Sequence, residues 1–338
     1  MNKFVINPKF LIEPKHLLGL EWALVLFLAA MVAMLSISVL IIGSDNLSGS
    51  LQKINSWTIV ICLVLFIWQF TCRCLRWFLF SHSLGISKIS FHEMALYYAA
   101  GMGMGMAFTP GRVGEILRLW FLKQRLAVPY RRIAGLYVTD RMGDVIAYLA
   151  MLVIGSASYM HGLSLAGSAF LVILPVTILL WRPLLLIKLL TTIHVRLGIG
   201  RKVLLWVRRA IRNTSTIIRS RHFIPGVAIG IVGWLAAPTC LSLILSQLGA
   251  DIDPLMVLLI YAVAALTGGS TLMPGGGGAT ETVLVLLMSS SNIHLSVAVS
   301  AMIVTRLTFF FLPIGLGLLV IPIAVSVARN RQPVDCSA

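Results

Sequence analysis

The stretch FHEMALYYAAGMGMGMAFTPGRVGEILRLWFLKQRLAVPYRR, Phe91–Arg132, decides how this chain is threaded. Its first half is apolar enough to enter a bilayer, yet Gly101, Gly103, Gly105, Pro110 and Gly111 interrupt a helix there. Six basic residues follow between Arg112 and Arg132. If Phe91–Phe108 crossed from the cytoplasmic side, all six would land outside, against the Lys and Arg excess of cytoplasmic loops. The stretch therefore reads as a re-entrant hairpin that dips into the membrane and returns to the same face. Ser90-x-x-Glu93 offers a capping box for its descending half. A helix broken at depth is tolerated only where protein or water satisfies the freed backbone groups.

The rest of the chain gives this hairpin a membrane to enter. Of 338 residues 59% are hydrophobic and only 11% charged, too little polar surface for a water-soluble fold. Runs such as Trp22–Ile42, Trp57–Leu79, Phe223–Leu245 and Ser296–Val320 reach the ~20 residues that cross a bilayer core as helix. The expected class is an all-α polytopic integral membrane protein, one transmembrane domain over 1–338. The segment after Lys3, Lys9 and Lys15 is too long for a cleavable signal and reads as an uncleaved first span. With that end inside, Gly43–Ser56 lies outside and Trp57–Leu79 returns to Arg73, Arg76 and Lys88. Ile133–Met151 exits after the hairpin, Leu165–Trp181 returns, and Phe223–Leu245 exits to the acidic turn Asp251–Asp253. The last span ends inside at Arg329 and Arg331. Loop charge thus predicts about six full spans, two re-entrant hairpins and cytoplasmic termini.

A net charge of +16 raises nucleic acid as a partner, but the basic residues gather in short segments between apolar runs. The stretch 182–221 carries ten Lys or Arg and no Asp or Glu, interleaved with Leu, Ile and Val. It reads as an amphipathic segment on an anionic cytoplasmic lipid surface. The five cysteines form no disulfide framework or zinc pattern, and the seven histidines form no metal motif. No cofactor is expected.

The stretch TLMPGGGGATE, Thr271–Glu281, repeats the device of the first hairpin. At an offset of 164 positions Pro110 meets Pro274, and Leu84 and Gly85 meet Leu248 and Gly249. Tyr97 then falls on Tyr261, Ala100 on Ala264, Gly105 on Gly269, Gly111 on Gly275 and Gly114 on Gly278. With two residues inserted, Glu115 meets Glu281, and VTDR (Val138–Arg141) meets VTR (Val304–Arg306). The repeats are placed at 57–160 and 222–327. Loop charge sends the first hairpin in from the cytoplasm and the second from outside, an inverted-topology repeat of the transporter kind.

At FTPGRVGEILRLWFL (Phe108–Leu122), VTDRMGD (Val138–Asp144), LTGGSTLMPGGGGATE (Leu266–Glu281) and VTRLTFFFLPIGLG (Val304–Gly317), the chain resembles the lysylphosphatidylglycerol synthase transmembrane-region family. That family includes the flippase portion of the bacterial multiple peptide resistance factor and stand-alone membrane proteins. The resemblance implies a lipid-translocating protein. No stretch resembles the cytosolic acyltransferase-like domain of the full resistance factor, so the synthase activity is not expected and the protein is not read as an enzyme. The lipid is left open among aminoacyl-phospholipids, glycolipids and polyprenyl-phosphate-linked sugars.

Charge inside a membrane costs about 3 kcal/mol per group at a helix centre, so each case needs a reason. The candidate substrate-binding residues are Arg112, Glu115, Arg141, Asp144, Gly275, Gly276, Gly277, Glu281 and Arg306, with Pro110, Gly111, Pro274 and Gly278 as helix breaks. A half-helix that starts at a break aims backbone N–H groups and a positive dipole end at an anion. The glycines let backbone approach a headgroup phosphate, Arg112, Arg141 and Arg306 clasp it, and Glu115 and Glu281 orient the arginines. Arg141 and Asp144, three apart, share a helix face. The competing role is structural, with Glu115–Arg141 and Glu281–Arg306 as ion pairs pinning each hairpin to the next span. Arg118, Lys123 and Arg125 read as charges at a cytoplasmic helix end. Arg73 and Arg76 read as snorkelling to the interface, and GMGMGM as close helix packing.

The partners that follow are a membrane lipid as substrate, the anionic lipid surface, and a lipid-modifying enzyme or glycosyltransferase. A homodimer is left open, and nucleic acid is not a partner. Two other classes stay in view. One is a membrane-embedded lipid-linked glycosyl- or acyl-transferase, or its accessory subunit, using Asp251 and Asp253; an N-cap before Pro254 explains the same residues. The other is a small-ion transporter.

Overall fold

The computed structural model describes residues 17–86, 89–107, 113–126, 130–156, 211–271 and 276–330, and regular structure there is helical. The span expected at Leu165–Trp181 and positions 182–210 of the basic segment lie outside these residues; 211–218 is helix. Three described helical stretches are long and apolar enough to cross a membrane: Ser56–His82, Phe223–Gln247 and Leu295–Arg329. The protein is a multi-pass, all-helical membrane protein.

The first helix, α1 (Leu17–Ile42), bends by 106° into the short α2 (Ser44–Gln52). The hinge is Gly43 at φ 84°, a left-handed conformation that disfavours a side chain. The neutral segment read as a loop thus holds a helix, with Leu47 tucked into the core. Next, α3 (Ser56–His82) starts at Asn55, whose side chain accepts from the Trp57 N–H. Trp57, Val60, Val64, Ile67 and Trp68 are exposed, an apolar face suited to lipid, whereas Cys72–Cys74, Arg76, Trp77 and Phe80 are buried.

Two helical hairpins follow the same plan. The first pairs α4 (Phe91–Ala107) with α5 (Val113–Leu126), and α6 (Tyr130–Gly155) comes after it. The second, reached through α7 (Phe223–Trp234) and α8 (Ala236–Gln247), pairs α9 (Pro254–Ser270) with α10 (Ala279–Ser290). The α7–α8 stretch is offset at Leu235 because Pro238 has no N–H for the Trp234 carbonyl. Then α11 (Leu295–Arg306) continues through a π-helical turn at Leu307–Phe311 into α12 (Leu312–Asn330).

The spans that precede the hairpins end in the same way. Gly85 and Gly249, aligned in sequence, have φ 73° and 80°. Ile86 N–H donates to the Ser81 carbonyl at 3.1 Å, and Ala250 N–H to that of Leu245 at 3.0 Å. Gly85 N–H reaches His82 and Gly249 N–H reaches Ser246, which completes a Schellman cap at each place. Packing then exchanges the halves: α4 lies on α12, and α9 lies on α6.

Small residues set these contacts. A Cβ on Gly103 would come within 2.6 Å of the Gly317 Cα, so GMGMGM is indeed a close-packing face, turned toward α12. A Cβ on Gly155 would sit 2.6 Å from the Leu259 backbone nitrogen. Gly103→Ala and Gly317→Ala are each expected to destabilise the protein by about 1–3 kcal/mol, the cost of overpacking. Gly49→Ala, with no atom within 4 Å of its new Cβ, is the control and should not. Thermal unfolding in detergent checks this, and equal midpoints for the three variants would contradict it.

Candidate functional site

The helix faces that meet between α3, α5, α6 and α7 carry charge where the rest of the core is apolar. Arg76 is fully buried and forks between two carboxylates of α6. Its Nε and Nη2 donate to Asp140 Oδ1 at 3.0 and 2.6 Å, and Nη2 also donates to Asp144 Oδ1 at 2.6 Å. The Trp234 indole N–H donates to the same Asp144 oxygen at 2.8 Å. Arg118 approaches Asp140 Oδ2 at 3.4 Å. Arg141 reaches Asp144 Oδ2 at 2.9 Å and Asp140 Oδ2 at 3.6 Å, and Arg73 lies 3.8 Å from Asp144 Oδ2.

Glycines make room for this. Gly226, Gly230 and Gly233 of α7 run along Phe80, Arg76 and Cys72 of α3; a Cβ on Gly230 would stand 2.8 Å from Arg76 Nη1. Gly143 of α6 closes in from the other side, its Cβ position 3.0 Å from the same nitrogen. Aromatic rings cover the rest. The Arg118 guanidinium lies 4.3 Å from the Tyr98 ring centre, and that of Arg73 lies 4.5 Å from Trp234. Four guanidinium groups thus surround two carboxylates among the described residues. Arg73 Nε, Arg76 Nη1 and Arg118 Nε have no hydrogen-bond partner there. Arg141 is the least buried of the four, with 28% of its side chain exposed. A shallow cleft with a volume of only about 10 Å³ opens onto the cluster, lined by Trp77, Arg118, Leu119, Tyr137 and Asp140.

A second, smaller site lies in the other hairpin. Glu281, in the first turn of α10, sits 2.9 Å from Nε of Arg306, the last residue of α11. The Arg306 guanidinium also lies 5.2 Å from the Phe310 ring centre, so the π-helical turn presents a ring to it. Tyr148 of α6 and Tyr261 of α9 both pack against an apolar cluster that includes Met151, Trp234 and Leu259.

Of the residues singled out in the sequence, Arg141 and Asp144 meet in the first site, and Glu281 pairs with Arg306 in the second. Pro110, Gly111, Arg112, Pro274 and Gly275 lie outside the described residues, as does the side chain of Glu115, whose backbone is in α5. Gly276, at φ 69°, is held against the backbone of Gly268, so packing alone requires a glycine there. Gly277 is half-buried beside it, and Gly278, at φ 80°, precedes α10.

The snorkelling expected of Arg73 and Arg76 is overturned: both point inward, because Asp140 and Asp144 offer counter-charge that the interface does not better. Arg118 and Arg125 are not solvent-facing charges either, although Arg125 is in the last turn of α5. Arg125 donates from Nε to buried Glu93 at 2.8 Å, and the Tyr97 hydroxyl donates to the same oxygen at 2.7 Å. The Glu93 N–H takes up Ser90 Oγ at 3.3 Å, while its carboxylate ties α4 to α5. Asp140, Arg76 and Trp234 were missed. Their signal was a polar i, i+4 pair on α6 facing an arginine on α3, plus Gly-x-x-x-Gly at Gly226–Gly230. Among the described residues no three His, Cys, Asp or Glu side chains converge as a metal site.

Arg76→Ala would leave two buried carboxylates facing the hole it vacates, a loss of about 3–5 kcal/mol. Arg76→Lys should recover little, since one ammonium cannot reproduce the fork to both aspartates. Folded yield and thermal midpoint in detergent measure both; a wild-type midpoint for Arg76→Ala would sink the assignment.

A model of the family described as lysylphosphatidylglycerol synthase TM region matches residues 18–317 of the chain. No curated protein matches it.

Proposed function

Because the chain belongs to the lysylphosphatidylglycerol synthase TM-region family, we propose that it is a lipid translocase, moving a phosphate-bearing or otherwise anionic lipid across the bacterial cytoplasmic membrane. The observation that carries this reading is the excess, among the described residues, of buried cation over anion at the first site. A cluster built only for stability would balance its charges, since uncompensated charge in a low-dielectric interior is expensive. Four arginines around two aspartates, with unused donors on Arg73 and Arg118, suit a further anion. A phosphate is the fitting one, because guanidinium groups bind its oxygens through paired N–H bonds. Arg118 lines the cleft and Arg141 is the more exposed, so these two are assigned the headgroup. Arg76 and the aspartates hold the arginines in place.

The route runs from that site past Tyr148 and Tyr261 to Arg306, while the acyl chains stay in lipid beside the exposed face of α3. The two halves work as an inverted repeat, the first hairpin open to the cytoplasm and the second to the outside, with both termini inside. The matching Schellman caps at Gly85 and Gly249 and the exchanged packing of α4 on α12 and α9 on α6 support two equivalent halves. The transferase reading is weakened by Asp253, whose carboxylate accepts from the Leu255 N–H at 3.0 Å as an ordinary helix cap.

Reconstitution in liposomes with tail-labelled phospholipid, aminoacyl-phospholipid and polyprenyl-phosphate lipid tests the function. At least one should cross faster than in protein-free vesicles, and Arg118→Gln and Arg141→Gln should each slow it by about tenfold or more, the loss of one charge-assisted bond. Lys123→Gln, on an exposed cation, should leave the rate unchanged. No movement of any of the three lipids overturns the reading. The topology fails separately if cysteines placed at Ser291 and Arg125 are labelled from the same side.

A further inference from the structure

Two cysteines far apart in sequence meet in the core. Cys62 of α3 and Cys240 of α8 bring their sulfurs to 2.7 Å, closer than two unbonded sulfurs rest. Both are buried, at 1% and 0% exposure. They sit in one apolar cluster with Leu47, Leu241, Ile244 and Leu284. The other two described cysteines lie elsewhere, Cys72 against Gly233 and Cys74 in the cluster around Trp77. From this juxtaposition we infer that Cys62 and Cys240 form a disulfide that ties the leading span of the first half to the leading span of the second.

Position and compartment favour the bond. Cys62 lies two turns from the Asn55 end of α3, and Cys240 two turns from the Gln247 end of α8, so both are roughly 10 Å from a helix end. Those ends lead to α2 and to the acidic turn Asp251–Asp253. In the orientation proposed above both ends face outside, where disulfides persist; the inference rests on that orientation. Closure happens during insertion, before α2 and its neighbours seal the pair. One cysteine thiolate attacks a disulfide-bearing oxidant on the outer side and forms a mixed disulfide. The second cysteine then displaces the oxidant's sulfur. The Cys62–Cys240 bond forms, the oxidant's sulfur–sulfur bond breaks, and the oxidant leaves as a dithiol with both electrons and both protons. Once closed, the bond is shielded by apolar side chains, which keeps reducing thiols away.

The bond gives the translocation cycle a fixed part. With α3 and α8 joined near their outer ends, the two leading spans move as one body, and the hairpins move against it.

Two-step alkylation of the full-length protein tests this. Cells are lysed in denaturant with N-ethylmaleimide and no reductant, then reduced and treated with deuterated N-ethylmaleimide before peptide mass spectrometry. Cys62 and Cys240 should carry the deuterated label, and Cys72 and Cys74 the light one. In Cys62→Ser, Cys240 should switch to the light label. Light label on both Cys62 and Cys240 of the native protein overturns the disulfide. Orientation is read independently from Ser48→Cys in an otherwise cysteine-free chain, using a membrane-impermeant maleimide on intact cells. Light label on the pair with Ser48→Cys reactive from outside defeats the bond alone, whereas an unreactive Ser48→Cys defeats the orientation with it.

Discussion

The guanidinium of Arg76, out of reach of water between α3, α6 and α7, holds Asp140 and Asp144 at 2.6 Å each. An arginine cannot shed its proton to escape burial, so the fold must bring carboxylates to it. That requirement fixes the rotation of α6, whose Asp140 and Asp144 lie one turn apart on the face toward α3. It also fixes the approach of α7, since Gly230 is the only residue type that leaves room for the Arg76 side chain at that distance. Asp144 is then shared with the Trp234 indole, which pins the C-terminal end of α7 to the same point. One buried charge thus orders three helices, where lipid-facing apolar surface supplies little preference for any particular rotation.

How much of this was legible in the sequence depended on the range of the interaction. The helices themselves, the two broken hairpins and the Arg141–Asp144 and Glu281–Arg306 pairs were readable, because composition, helix breakers and short-range spacing carry that information. The meeting of Arg76 with Asp140, 64 residues apart, was not. An arginine a few turns from a basic loop is usually drawn to the interface, and nothing local to α3 says otherwise. The decisive fact is the rotation of α6, which is a tertiary quantity. The same holds for Arg125: its place at the end of α5 looked solvent-exposed until α4 brought Glu93 against it.

The glycines show a similar division. Gly43, Gly85 and Gly249 end or turn helices at positive φ, a local demand that marks boundaries in the sequence. Gly103, Gly230 and Gly317 are inside helices and satisfy a demand set by a different helix. Gly276 does both, turning the chain at φ 69° and lying on Gly268. A run of four glycines therefore need not be a ligand cradle throughout; at least one of them is spent on bringing α9 and α10 together.

The halves share a plan but not a charge count. Each hairpin has a glutamate as the third residue of its second helix, Glu115 in α5 and Glu281 in α10, and at Glu281 the positive end of the helix dipole favours the carboxylate. Around Glu281 the described cation is Arg306 alone, whereas the first half gathers four arginines. A symmetric pair of sites would hold an anion equally well at either mouth and give no reason for it to leave. In the proposed translocation, unequal sites would let a strong site take the headgroup from one leaflet and a weaker one release it toward the other. The asymmetry lies mainly on α3, through Arg73 and Arg76, which at the offset of 164 positions fall on Ala237 and Cys240 of α8. Two apolar residues thus stand where α3 carries its buried arginines, while the glycines that admit Arg76, Gly143 and Gly230, lie on α6 and α7.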